Sequence, residues 1–294
     1  MSNWTGLGIG TKNSDGDWIE MFFAEENISA EDLESSDAAF EKVSVSDDKA
    51  PTSLPEAYLK LHLLSYRLVK PNETNLDGIF GILQNVVWTS EGPFSIADFK
   101  KAQLEARKEN RHILVHSIDK FPRMTDYVTL SDVRIADANR VRLGAYLGSG
   151  TTIMHEGFVN FNAGSLGEAM IEGRISQGVV IGDKTDIGGG ASTMGTLSGG
   201  NDVRISLGKN CLLGANSGLG IPLGDRCTVE AGLYLTASSK VEVIDDKGEI
   251  ETVKASELAS KSDLLFIRNS LTGSIQCRPN KKVIELNEEL HSND

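Results

Sequence analysis

Two charged residues, Glu172 and Arg174, stand in the string MIEGRIS (170–176), within a tract that is otherwise aliphatic or glycine-rich. A guanidinium can grip a carboxylate through two parallel hydrogen bonds. Residues i and i+2 on a strand share a face, so spacing alone favours a local ion pair between them. Further on, GGGAST (188–193) supplies closely spaced backbone N–H groups and the Ser192 hydroxyl, the kind of donors an oxyanion needs. The other reactive side chains carry less. His62 lies beside a leucine-rich face and reads as packing, and His112 and His116 bracket a probable strand and read as structural. Cys211, Cys227 and Cys277 are odd in number and lack paired spacing, so they form neither a disulfide framework nor a zinc site. Cys211 and Cys227 read as inert packing.

The segment that must position these groups has a period of six. Ile135, Val141, Leu147, Ile153 and Val159 are six apart, as are Ile175, Ile181 and Ile187, and as are Ile205, Cys211, Ser217, Leu223, Val229, Leu235 and Val241. A second row, Leu207, Leu213 and Leu219, keeps the same interval. Neither a helix nor a plain strand repeats at six. Short strands joined by Gly-, Asn- and Asp-bearing corners do, with about 18 residues to a three-sided coil and coils stacked about 4.8 Å apart. The expected fold is therefore mainly β, a parallel β-helix of hexapeptide repeats. Sandwich turns recur at other intervals and do not hold one register for so long. The register loosens after Val159, where Ser165 and Ile171 keep step weakly, and again over Gly188–Ser206. Such polar breaks in a rigid solenoid are where function can be carried.

Three domains are expected: an N-terminal α/β domain over 1–129, the β-helix over 130–241, and C-terminal hairpins and a tail over 242–294. In the first, TSLPEAYLKLHLLSYRLVKPNE reads as a helix capped by Thr52 or Ser53, with an apolar stripe of Leu59, Leu63 and Tyr66 and an end at Pro71. SIADFKKAQLEARKENR reads as a second helix, with Ser95 and Asp98 in a capping-box relation. IFGILQNVVWT is a strand or a buried helix, and EENISAEDLESSDAAFEK a short acidic helix or a loop. In the last, hairpin turns are expected at Asp246–Gly248 and Thr272–Gly273, and a short helix in IELNEELHSND. Lys and Arg number 29 against 42 Asp and Glu, a formal charge of −13. That balance argues against nucleic-acid or anionic-membrane partners, while a local basic pocket for a small anion stays open. The N-terminus does not read as a signal peptide and no stretch of 18 apolar residues occurs, so a cytoplasmic protein is expected.

The strings MHEGFVNFNAG, MIEGRIS, DIGGGASTMGTLSGG, CLLGANSGLGIPLGD, VEAGLYLTA and LLFIRNS, in that order, resemble the 2,3,4,5-tetrahydropyridine-2,6-dicarboxylate N-succinyltransferases, hexapeptide-repeat acyltransferases of lysine and diaminopimelate synthesis. The resemblance runs from about Arg134 to Leu290. It implies a homotrimer of left-handed β-helices with active sites in the grooves between subunits. It implies succinyl-CoA as donor and the amine of the ring-opened cyclic dicarboxylate as acceptor. Another hexapeptide acyl-CoA transferase, or a non-catalytic β-helix scaffold, is the competing reading.

The resemblance also assigns residues. Glu172 matches the catalytic carboxylate, either a general base or the carrier of an acyl-anhydride; an ammonium must lose its proton before it attacks a thioester. Contacts to succinyl-CoA are implied at Arg174, Gly189, Ser192, Ala215, Glu230, Ala231, Ser238, Lys254, Arg268 and Ser270. Ser238 stands where relatives carry Gly, and Ile267 where an Arg is expected, which leaves Arg268 alone on that phosphate. His155 is the rival base, with packing beside a subunit contact the preferred reading. Glu156 resembles a ligand for a divalent metal, Mg2+, on the threefold axis. Its companion turn reads Asp137–Ala138–Asn139, and Asn139 in place of an acid lowers the ligand charge.

Overall fold

Ala145, Tyr146 and Leu147 pair in parallel register with Ala163, Gly164 and Ser165, 18 positions on. Thr151–Ile153 pairs likewise with Ala169–Ile171. The computed structural model describes residues 2–196 and 203–280. Within the repeat, three parallel ladders run side by side. The first holds Ala145–Leu147, Ala163–Ser165, Val180–Ile181 and Ser206–Leu207. The second holds Thr151–Ile153, Ala169–Ile171, Thr185–Ile187, Leu212–Leu213 and Thr228–Val229, and the third Phe158–Val159, Arg174–Ile175, Ser192–Thr193, Gly218–Gly220 and Tyr234–Thr236. The chain visits them in rotation, and each circuit lays its strands on those of the circuit before. The protein is mainly β, with parallel sheets built on the hexapeptide repeat.

The six-residue rows do point inward: Ile153, Ile171, Ile187, Leu213, Val229 and Leu235 are wholly buried. The period, however, is not six throughout. Ile171 and Ile175 are both buried core residues yet only four apart, as are Leu219 and Leu223. Circuits that contain such a short edge return after 16 residues, as in the pairings Ala169 with Thr185 and Leu212 with Thr228. The row from Ile205 to Val241 is therefore two rows spliced at the short edge. Ile205, Cys211 and Ser217 run two positions ahead of Leu207, Leu213 and Leu219, and it is the latter that Leu223 continues, bridged in parallel to Leu207. Ser165 also keeps step fully: it is buried, and its hydroxyl meets that of Thr151 at 2.6 Å. The second loosening is an excursion. Val180 pairs with Ser206 across 26 residues, and the extra length leaves and returns through an antiparallel bridge between Thr196 and Arg204.

Beyond the repeat, Leu264–Arg268 takes the next place on the second ladder, beside Thr228 and Val229, and folds back antiparallel on Ile275–Pro279. Lys240–Ile244 forms the other expected hairpin with Ile250–Lys254, its turn held by Asp245, whose carboxylate accepts the N–H groups of Lys247 and Glu249. The helix expected in IELNEELHSND lies outside the described residues. All three cysteines are buried and unpaired.

The chain divides into two compact units: residues up to Thr129 with Arg142–Gly144, and Leu130–Val141 with the chain from Ala145 onward. The first unit contains two three-stranded antiparallel sheets and three helices, α1 (Leu54–Ser65), α2 (Ile79–Ile82) and α3 (Ile96–Lys108). Ser53 caps α1 and Ser95 caps α3, each accepting an N–H three residues on. IFGILQNVVWT opens with the single turn α2, in which only Ile79 is buried, and the expected strand follows as Val86–Thr89, so the buried helix is not found. EENISAEDLESSDAAFEK forms no helix: it continues the strand Trp18–Ser29, crosses irregular chain and enters the strand Glu41–Ser46. The first helix stops well before Pro71. Arg67 adopts φ 63°, Leu68 N–H bonds Leu63 O and Arg67 N–H bonds Leu64 O, so a Schellman motif ends it.

The apolar stripe expected on α1 is wider than a stripe, since every residue from Ala57 to Ser65 is buried. Lys60 survives there because its ammonium donates to Ser46 O (2.7 Å) and Thr74 Oγ1 (2.9 Å). His62 is wholly buried; Nδ1–H donates to Tyr58 O at 2.7 Å and Nε2 accepts Phe23 N–H at 3.3 Å. Both ring nitrogens are satisfied only by the neutral ring, and burial pushes its pKa down to about 4. The unfolded chain binds the proton near 6.5, so this stabilisation is complete above that pH and is lost as pH falls from 6.5 to about 4. His62→Leu is less stable than the parent at neutral pH. The gap narrows by about 3 kcal/mol over that window; denaturant unfolding of both proteins across pH checks it, and a constant gap contradicts the assignment.

Candidate active site

The chain places Glu172 at a corner. It stands between the strands Ala169–Ile171 and Arg174–Ile175, and its N–H donates to Ile187 O at 2.8 Å. One circuit on, Gly188 N–H donates to Leu213 O; then Gly214 N–H to Val229 O; then Glu230 N–H to Phe266 O. Glu172, Gly188, Gly214 and Glu230 thus mark one edge of the solenoid, a circuit apart, and the edge ends beside Ile267 and Arg268. Backbones approach closely along it. A Cβ on Gly173 would lie 2.4 Å from Ala191 O, and one on Gly214 would lie 2.4 Å from Ala231 N.

This edge gathers most of the residues singled out in the sequence. The half-buried Glu172 reaches across to the next circuit, where Oε2 lies 3.4 Å from the point a Cβ on Gly189 would occupy. Among the described residues, the amides of Gly189, Gly190, Ala215 and Ala231 meet no acceptor. Unpaired N–H groups therefore recur beside the carboxylate and along the edge. The expected ion pair between Glu172 and Arg174 is absent. The rule that i and i+2 share a face holds on a strand, and Glu172 is on a turn. Arg174 instead directs Nε (3.1 Å) and Nη2 (2.6 Å) to Ser192 Oγ on the neighbouring strand.

Arg174, Ser192, Gly218 and Tyr234 continue as one outward column of the third ladder. A Cβ on Gly218 would lie 2.1 Å from the ring of Tyr234, so the aromatic face lies over that glycine. Tyr234 was not among the residues expected at the site. The available signal was a glycine one 16-residue circuit before an outward aromatic, legible only once the short edge is known.

Of the remaining residues, five lie toward the C-terminal strands and the others in the first circuits. Glu230 Oε2 accepts the N–H of Arg268 at 2.7 Å, and the Arg268 guanidinium donates to Gly273 O at 2.9 Å. Ser270 is exposed just beyond. Ser238 lies in the turn before Lys240, and Lys254 pairs across the hairpin with Lys240; both Ser238 and Lys254 are exposed. His155 is exposed on the same edge as Glu172, at the corner one circuit earlier, where Met154 N–H donates to Ile171 O, and it stands beside Glu156. The residues expected to hold Mg2+ do not fit it. Glu156 faces Arg140 (3.6 Å), Asp137 Oδ1 accepts the N–H and Nδ2 of Asn139, and no group of three or more His, Cys, Asp or Glu converges among the described residues. One exposed carboxylate already facing a cation and one neutral amide are a poor donor set for a hard dication.

An inward aliphatic repeat, parallel ladders and a glycine-lined edge with a carboxylate define a hexapeptide-repeat protein of the acyltransferase kind. The chain matches the family description "hexapeptide repeat of succinyl-transferase" over residues 204–237. It also matches the N-terminal part of tetrahydrodipicolinate N-succinyltransferase over 12–81 and the middle part over 83–123. A 2,3,4,5-tetrahydropyridine-2,6-dicarboxylate N-succinyltransferase of Vibrio cholerae is 61% identical over 85% of this chain and 73% of its own. The enzyme of that name from Pseudomonas putida is 48% identical over 98% of this chain and 97% of its own. A crystal structure from Campylobacter jejuni, assigned as a 2,3,4,5-tetrahydropyridine-2-carboxylate N-succinyltransferase, superposes with a TM-score of 0.87 at 30% identity, covering 97% of this chain and 94% of the other. The chain belongs to the tetrahydrodipicolinate N-succinyltransferase family.

Two glycines, Gly164 on the first ladder and Gly189 on this edge, separate folding from function. A side chain on Gly164, at φ 144° with a Cβ 1.8 Å from Tyr146 O, cannot be accommodated, and Gly164→Ala unfolds the protein. Gly189→Ala meets only the Glu172 carboxylate. It keeps the parental melting temperature and loses at least tenfold in kcat/KM, about 1.4 kcal/mol of transition-state stabilisation. A parental rate in Gly189→Ala detaches this glycine from the site.

Proposed function

We propose that the chain transfers the succinyl group of succinyl-CoA to the amine of ring-opened tetrahydrodipicolinate, giving N-succinyl-2-amino-6-oxopimelate and CoA in lysine and diaminopimelate biosynthesis. The observation that carries this reading is the continuous edge from Glu172 to Arg268, where the Glu172 carboxylate lies over Gly189 and unpaired amides recur along the circuits beyond. Four circuit steps at the inter-strand spacing extend about 19 Å, a track suited to an extended acyl-CoA. The thioester lies at the Glu172 end and the nucleotide at the other. Amides of Gly189, Ala215 and Ala231 serve the pantetheine, and Arg268, Lys254, Ser238 and Ser270 the phosphates and ribose. Glu230 holds the strand that carries Arg268 through its bond to the Arg268 N–H. Ser192, gripped by Arg174, orients that guanidinium toward a carboxylate of the donor or acceptor.

Glu172 acts in the chemical step. As a base it takes a proton from the acceptor ammonium, the freed amine adds to the thioester carbonyl, and CoA leaves as thiol once protonated. As acyl carrier, its oxygen displaces CoA to form a mixed anhydride, which the amine then opens with return of the carboxylate. Both routes pass through an oxyanion, to which the unpaired Gly189 and Gly190 amides are assigned as donors. No metal takes part in this account. The solenoid is a left-handed β-helix, and three copies form a cyclic trimer whose neighbours close the groove over each edge. The division at 129 and 241 separates this catalytic body from an N-terminal domain and a C-terminal cap. The enzyme works in the cytoplasm, where its substrates are made; none of the helices among the described residues is long and apolar enough to cross a membrane.

Thiol release from succinyl-CoA, followed with and without the cyclic dicarboxylate, tests the reaction; release that ignores the dicarboxylate contradicts the acceptor assignment. Glu172→Gln lowers kcat by ~10²–10⁴ while the melting temperature stays unchanged. A variant that loses stability and keeps its kcat shows that Glu172 is structural. Hydroxylamine-sensitive succinate on the parent protein separates the covalent route from the direct one. Lys254→Ala and Arg268→Ala raise the KM for succinyl-CoA more than they lower kcat, most clearly at low salt; unchanged KM in both places the phosphates elsewhere.

A further inference from the structure

The N-terminal unit contains a cavity of about 410 Å³, lined by residues to which the proposed transfer assigns no role. Its walls are aromatic, formed by Phe22, Trp88 and Tyr127. The Trp88 and Tyr127 rings meet edge to face at 6.4 Å, and Phe22 tilts against Tyr127 at 6.5 Å. Glu20 lies in the same lining and is only 7% exposed. Its Oε2 accepts the hydroxyl of Tyr127 at 3.0 Å, and among the described residues it takes part in no ion pair. The charged groups of the lining are Glu20, Arg123 and Asp126. Arg123 and Asp126 neutralise each other through two 2.9 Å hydrogen bonds, which leaves the negative charge of Glu20 unanswered. Close by, the Tyr58 hydroxyl is buried without a hydrogen-bond partner. Its ring lies 6.0 Å from that of Tyr127, and burial and the charge of Glu20 raise its pKa further.

A buried carboxylate costs free energy unless it is paired, and aromatic faces attract cations. An anionic ligand would face Glu20, and a neutral apolar one would leave that charge uncompensated. We propose that this cavity binds a small organic cation, a primary ammonium on a short aliphatic or amino-acid body. The ammonium sits against Glu20 and the chain lies between Phe22, Trp88 and Tyr127. His116 and Ser90 stand in the remainder of the lining, where a polar end of the ligand can be received. None of its residues is among those assigned to succinyl transfer, so the proposal stands or falls without the reading of Glu172.

The test is a titration of the full-length protein with n-butylamine, with L-lysine and with butyrate, read by calorimetry and by tryptophan fluorescence, since Trp88 lines the cavity. Saturable binding of n-butylamine, L-lysine or both, with none of butyrate, is expected; the pair tells whether a carboxylate on the ligand is tolerated. Glu20→Gln keeps an acceptor for Tyr127 and weakens binding at least tenfold. Phe22→Ala, at a partly exposed position that the fold tolerates, weakens it severalfold at an unchanged melting temperature. Succinyl transfer in the absence of amine is the same in both variants and the parent. Absence of saturable binding by either ammonium compound, preferential binding of butyrate, or equal affinity in parent and Glu20→Gln overturns the proposal.

Discussion

The in-register parallel ladder is the constraint on which the rest depends. Each strand is only two or three residues long in most circuits and has little stability of its own. Its order comes from the hydrogen bonds to the circuits on either side and from one wholly buried side chain per edge. Residues far apart in sequence are thereby fixed in columns one strand spacing apart. Glu172, Gly188, Gly214 and Glu230 share an edge because Ile187, Leu213, Val229 and Phe266 offer their carbonyls in sequence. A rigid column of this kind holds a carboxylate against backbone donors without the reorganisation a loop would require.

The period of the repeat was legible in the sequence because core residues obey one volume constraint at every edge. The two short edges were not. A four-residue step from Ile171 to Ile175 leaves both ends aliphatic, so a six-residue row can slip from one register to another without any change in residue type. That slip hid Tyr234, whose partner in the column, Gly218, is identified only by the 16-residue return. It also explains Glu172: the short edge is the turn that carries it out of the strand and away from Arg174. Corner chemistry was partly legible. Asn162, Asn210 and Asn216 take the left-handed conformation their residue type favours, whereas Lys184 and Arg226 take it at positions that composition does not mark.

The N-terminal unit shows the opposite balance. Its helices were evident from Ser53 and Ser95, because capping is local chemistry. The end of α1 was not, since Arg67 at positive φ carries no signal in its identity. The buried polar groups are tertiary facts: Lys60, His62 and Glu20 are made tolerable or useful only by partners distant in sequence. The chain is acidic as a whole, and the cations assigned to the donor under the proposed reading, Arg174, Lys254 and Arg268, are few.

The central claim is that one edge of the solenoid binds the donor lengthwise and delivers its thioester to Glu172. A crystal structure of the protein with CoA and a non-reactive acceptor analogue tests it most directly. The account predicts pantetheine laid along Gly189, Ala215 and Ala231, the thiol within reach of the Glu172 carboxylate, and the phosphates beside Arg268 and Lys254. CoA bound along another edge, or with its thiol at His155, would contradict it.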